Sequence, residues 1–146
     1  EKYSPEGFED SLTDGSKYIE QVILHNNQDP YTIVLIVPNK NNLAEFVKGQ
    51  GLDPATLEGK KAMLNKIQSE IDSYKKGGAH EGMFPERWLP SAVAVLPEPF
   101  TEQNHMVNST MKIVRGKVEE FYADRIEYAY TAEGKNLLNE KNLQSV

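Results

Sequence analysis

The sequence contains no cysteine, which excludes a disulfide framework, a thiolate metal site and a thiol nucleophile. Histidine is scarce as well. His25, His80 and His105 stand far apart, without the spacing of a metal-ligand set, and each reads as an exposed or partly packed loop or strand-end residue. There is no excess of positive charge. The formal net charge is −6, and a chain of this sign repels phosphate backbones over long range, so nucleic-acid binding is not expected. No long apolar run is present. The longest, Ile33–Val37, falls far short of the ~20 residues that span a bilayer, and the charged opening EKYSPEGFED has no stretch like a signal peptide. These features lead us to expect a cytoplasmic protein. Also missing are the GxxxxGK[ST] phosphate loop, the GxGxxG dinucleotide turn and the GxSxG nucleophile elbow.

What is there is an ordinary globular composition, 38% hydrophobic and 26% charged over 146 residues, enough for one domain. Ser4-Pro5-Glu6 reads as a helix start, with Ser4 as cap and with Phe8 and Leu12 sharing a face. Tyr18–His25 and Tyr31–Val37 read as strands around the turn cluster NNQDP, forming an antiparallel hairpin; the second run is almost wholly apolar and β-branched, as a buried central strand should be. Helices are predicted over Asn42–Val47 and Thr56–Lys76, the latter with Leu57, Leu64, Ile67, Ile71 and Tyr74 at helical spacing. Ser91–Leu96 reads as a third strand. Pro97–Thr110 is a loop long enough to be functional. Val114–Tyr130 is predicted as one helix with Val118, Phe121, Tyr122, Ile126 and Tyr130 available for one face, followed by a polar tail that either docks or frays. The order gives an α+β fold, a small sheet including an antiparallel hairpin, flanked by helices.

Few residue groups point to chemistry. Glu119-Glu120 lies beside Lys117 and Arg125 and is most simply a solvated helix face. Tyr122, Tyr128 and Tyr130 suit core packing better than base stacking. Lys60-Lys61 and Lys75-Lys76 read as solvated helix ends. One stretch differs: NHMVNSTMKIVRGKVEEFY puts Lys112 at a loop-to-helix junction, where its long side chain can reach out of the fold. Spacing alone leaves it an ordinary loop lysine.

NSTMKIVR resembles the last core motif of adenylate-forming enzymes, in the form used by long-chain fatty acyl-CoA ligases. The opening EKYSPEGFEDSL is similar to the segment after that family's hinge motif, with Glu9 on its characteristic glutamate. Tyr18–Val37, Phe84–Pro90 and Leu96–Phe100 resemble further family segments in the same order. Met111 stands where the wider superfamily often has glycine, and Gly116 interrupts the usual basic run. The resemblance implies a single domain cut from a larger two-domain enzyme: a mobile C-terminal lid over residues 1–131, then a polar tail over 132–146. It implies Lys112 as the catalytic lysine of acyl-adenylate formation, Arg115 as a cofactor-binding residue, and closure for thioester formation with CoA. ATP, Mg2+ and CoA would serve the full-length long-chain fatty acid–CoA ligase, with none tightly bound here and no metal site in this chain. The partner would be the large N-terminal adenylation domain, the fatty acid a substrate, and peripheral membrane association of the parent is open. The domain alone is expected to be inactive. A carrier-protein ligase lid and a non-catalytic interaction module are the competing readings.

Overall fold

The computed structural model describes residues 4–26 and 29–146; Glu1–Tyr3 of the opening motif and two residues of the NNQDP turn lie outside them. Two strands, β1 (Ile19–His25) and β2 (Ile33–Pro38), form the expected antiparallel hairpin, and β3 (Ala92–Val95) runs parallel to β2 on its other side. The α+β class with helices flanking a small sheet is thereby borne out. Every residue of β2 is buried, and the reason is that both its faces are covered. Val34 and Ile36 join Phe8, Leu12, Val93 and Val95 in a core beneath α1 (Pro5–Gly15), α2 (Lys40–Gly49) and α3 (Leu57–Asp72). Ile33, Leu35 and Val37 join Ala92, Ala94, Met106, Val118, Ile126 and Ala129 in a second core on the opposite face. The period-2 alternation of a strand divides one apolar run between two cores.

The helices deviate from the sequence reading in detail. Ser4 precedes α1 without a side-chain capping bond, whereas Asn39 and Thr56 cap α2 and α3 through Asn42 N–H and Gly59 N–H. The α3 helix ends at Asp72 rather than Lys76, and Leu57 in its first turn is exposed while Met63 is buried. Gly59, which looks like a weakness in the sequence, is required: a Cβ there would run into the Asp53 carbonyl of the loop crossing the helix start. The predicted helix Val114–Tyr130 is two, α4 (Arg115–Phe121) and α5 (Ala123–Ala129), because the backbone at Tyr122 leaves helical geometry (φ −102, ψ 24). The bonds Tyr122 N–H to Val118 O and Ile126 N–H to Tyr122 O persist at 2.9 Å each, so one apolar stripe still runs through both. Phe121 falls off that stripe and is 68% exposed.

The last residues are docked. They carry α6 (Ala132–Lys135) and α7 (Glu140–Gln144), and Leu137, Leu138, Leu143 and Val146 pack on the first core. Asn142 is 0% exposed. Its amide accepts from Val95 N–H (2.8 Å) and donates to Val93 O (2.9 Å), pairing the outer edge of β3 as a further strand would. No helix among the described residues is long and apolar enough to cross a membrane.

Candidate functional site

The Pro97–Thr110 loop and the residues after it form an ordered hairpin that presents Lys112. At its base, Asn104 Oδ1 accepts from Thr101 N–H (2.9 Å) and Met106 N–H (3.2 Å), and Thr101 Oγ1 accepts from Asn104 N–H. Val107 and Ile113 then pair across an antiparallel bridge, and Val114 N–H donates to Met106 O at 2.8 Å. Asn108 organises the tip. Its Oδ1 accepts from the N–H groups of Thr110 and Lys112, both at 3.0 Å, while its own N–H donates to Lys112 O. Asparagine suits this place because its short amide copies a backbone turn. Met106 and Val107 plug the hairpin into the second core, leaving Met111 and Lys112 exposed at the tip.

Met111 has φ +64, and His105 at the other end of the hairpin has φ +66. The left-handed region favours glycine over any residue with a Cβ, so both side chains sit on strained backbone. Met111 is 74% exposed, so little burial is lost on substitution. Met111→Gly should therefore leave stability within about 1 kcal/mol of wild type, the relieved strain offsetting the entropy of glycine. Met111→Val, β-branched, should lower it by ~1–3 kcal/mol. Urea midpoints of the two variants check this; equal midpoints would remove the claim of strain at the hairpin tip.

Arg115 opens α4 three residues after Lys112, and its guanidinium is committed within the domain. Nη1 donates to Glu9 Oε2 (2.8 Å) and to Leu24 O (2.8 Å), Nη2 donates to Glu9 Oε1 (2.7 Å), and Glu6 Oε2 lies 3.6 Å from Nη2. Glu9 Oε2 also accepts from Leu24 N–H at 2.6 Å. Glu9 is 7% exposed, and a buried carboxylate needs this partner. The residue expected to meet a cofactor thus sits in an ion pair joining α1, β1 and α4. Nothing local in the sequence announces that pair, whose members lie 106 apart in the chain. At the entry to the loop, the Gln21 side chain accepts from Phe100 N–H (2.8 Å) and donates to Phe100 O (3.1 Å).

A cleft of about 590 Å³ separates α1 and β1 from the hairpin tip. Glu6, Asp10 and Glu20 line it opposite Lys112. Carboxylates on that wall repel a nucleoside triphosphate, so the described residues form no complete anion site around the lysine. Lys117 is exposed on α4. Among the described residues no group of three His, Asp or Glu side chains could hold a metal. His25 Nδ1 lies 2.6 Å from Glu119 and Nε2 3.2 Å from Asp29; His80 packs on the Tyr74 ring. Burial, with the Glu98 charge second, raises the pKa of Tyr122, and burial lowers that of Arg125.

No protein-family model matches the chain. Over 123 residues, 80% of the chain, it is 26% identical to fatty acyl-CoA synthetase B of Dictyostelium discoideum. Over 119 residues, 79% of the chain, it is 23% identical to long chain acyl-CoA synthetase 8 of Arabidopsis thaliana. The chain spans only 17% and 16% of the length of these two relatives. In fold it is similar to the adenylation domain of a carboxylate reductase from Mycobacterium chelonae, with a TM-score of 0.66 and 22% identity over 86% of this chain and 17% of that one. It is similar as well to the adenylation and carrier-protein didomain of a carboxylic acid reductase from Segniliparus rugosus, solved with AMP, with a TM-score of 0.61 and 21% identity over 90% of this chain and 16% of that one. The relatives in sequence are therefore acyl-CoA synthetases, and the fold is that of a part of an adenylation domain.

Proposed function

We propose that this chain is the mobile lid of a long-chain fatty acid–CoA ligase and that Lys112 is its catalytic residue. The observation that carries the reading is an exposed lysine at the tip of a hairpin pinned at its base, in a chain matching about one sixth of acyl-CoA synthetases. In the parent, the fatty acid carboxylate attacks the α-phosphorus of ATP, forming acyl-adenylate and releasing pyrophosphate; the thiol of CoA then attacks the acyl carbon and AMP leaves. Both steps bring anions together and gain most from charge stabilisation. The Lys112 ammonium, a compact charge on a flexible stem, bridges the carboxylate and α-phosphate oxygens in the first step. Rotation of the lid about the hinge then withdraws it for the second. ATP and Mg2+ sit on the large domain, the partner that supplies the rest of the anion site.

The 146-residue chain alone should form no acyl-CoA from palmitate, ATP, Mg2+ and CoA, while the full-length parent should form it. Stoichiometric product from the pure chain, or none from the parent, would falsify this reading. The carrier-protein didomain among the structural neighbours favours a second acceptor, a carrier-bound thiol. Parallel assays of the parent with CoA and with a phosphopantetheinylated carrier protein decide between the two.

A further inference from the structure

We propose that Glu9 is a positioning residue for Lys112, acting through Arg115; this rests on the reading of Lys112 as the catalytic lysine. Arg115 follows Lys112 by three residues, so at ~3.3–3.6 Å per residue the lysine Cα lies within about 11 Å of the Arg115 Cα, whose side chain is anchored at a fixed point. That point is tightly defined. Both carboxylate oxygens of Glu9 meet the two terminal nitrogens of Arg115, the fork-to-fork arrangement that fixes direction as well as distance.

The ion pair is also keyed to the sheet. The strand order is β1-β2-β3, so among the described residues no strand flanks the outer side of β1. There Leu24 N–H donates to Glu9 Oε2 and Leu24 O accepts from Arg115 Nη1, so the pair together supplies the donor and acceptor of a neighbouring strand. Slippage of Arg115 would break its bonds to Glu9 and to Leu24 together. Gln21, on the same strand, clasps both backbone groups of Phe100 where the chain enters the loop. Entry and exit of the lysine hairpin are thus registered to β1, and Asn108 ties the span between them. In such a frame a change at Glu9 moves the lysine relative to reacting atoms on the partner domain.

The test is a double-mutant cycle in the full-length parent. Glu9→Gln keeps the shape and the acceptor for Leu24 N–H while removing the charge that orients Arg115. A misplacement of about 1 Å can cost ~10²-fold, so adenylate formation, read by pyrophosphate release, should fall by roughly 10-fold or more. Thioester formation from supplied acyl-adenylate should change little. In a Lys112→Ala background, Glu9→Gln should add almost nothing to the adenylation defect, because the group it positions is gone. If Lys112→Ala leaves adenylation intact, the lysine reading fails and the positioning role goes with it. If Lys112→Ala is damaging but Glu9→Gln is silent, slows both half-reactions alike or multiplies fully with it, the lysine reading stands and the positioning role is overturned. Should Glu9→Gln fail to fold, Arg115→Lys, which keeps the charge and loses the fork, enters the same cycle with the same outcomes.

Discussion

Lys112→Ala in the full-length parent is expected to slow adenylate formation by on the order of 10²–10³, corresponding to ~2.7–4 kcal/mol for one well-placed electrostatic group. The loss should appear in pyrophosphate release under saturating ATP and fatty acid. On the proposed reading the lysine stabilises charge that converges only in the transition state, so its absence should lower kcat more than it weakens substrate binding. Lys117 provides the control. It lies five residues on, about 140° further round if the chain were helical throughout, and it is exposed on α4 outside the hairpin. Lys117→Ala should be nearly silent; if it does the damage instead, the motif belongs to the other lysine. Arg115→Ala should harm folding as well as rate, since it strands a Glu9 that is 7% exposed. Removing one partner of a buried pair costs about 3–5 kcal/mol, and because the Arg115 side chain is itself 30% exposed and screened, a smaller loss of ~2–3 kcal/mol is expected.

Asn142→Ala is expected to destabilise the chain by about 3 kcal/mol, a fall of roughly 10 °C in Tm for a domain of this size. The Asn142 side chain bonds Val95 N–H, Val93 O and Leu137 O, and it accepts from the Arg125 guanidinium. Truncation to Ala strands these groups where water does not easily reach, and each unsatisfied buried group costs ~1–3 kcal/mol. Arg125 suffers further, since burial already lowers its pKa and its Nη1 has no hydrogen-bond partner among the described residues. Gln144→Ala, an exposed position on the same helix, should stay within about 0.5 kcal/mol. Thermal melts of the two variants decide the matter; matching melting temperatures would mean that the C-terminal helices are ornamental to the fold.

The sequence was most readable where one physical signal dominated. The unbroken apolar run of β2 announced a strand covered on both faces, and β1 with its turn cluster announced the hairpin. The segment leading to Lys112 reads as a long loop in the sequence, and its order as a hairpin is not visible there, because it depends on the side chains of Asn104 and Asn108 closing turns on their own backbone. The two edge closures were hidden for another reason. Glu9 with Arg115 and Asn142 with β3 join residues far apart in the chain, and periodicity reports only neighbours. A usable hint existed in the tail, where Leu137, Leu138, Leu143 and Val146 supply more apolar surface than a frayed end needs. Parallel pairing of β3 with β2 left no local signature either, since a strand reads alike in both directions.

On the proposed reading Lys112 serves one half-reaction and is withdrawn from the other. The most direct measurement is single-turnover thioester formation by the Lys112→Ala parent from supplied acyl-adenylate and CoA, compared with its rate of pyrophosphate release. Thioester formation should run close to the wild-type rate beside a severe loss of adenylation. An equal loss in both would contradict it, and would make Lys112 a structural residue of a lid that does not alternate.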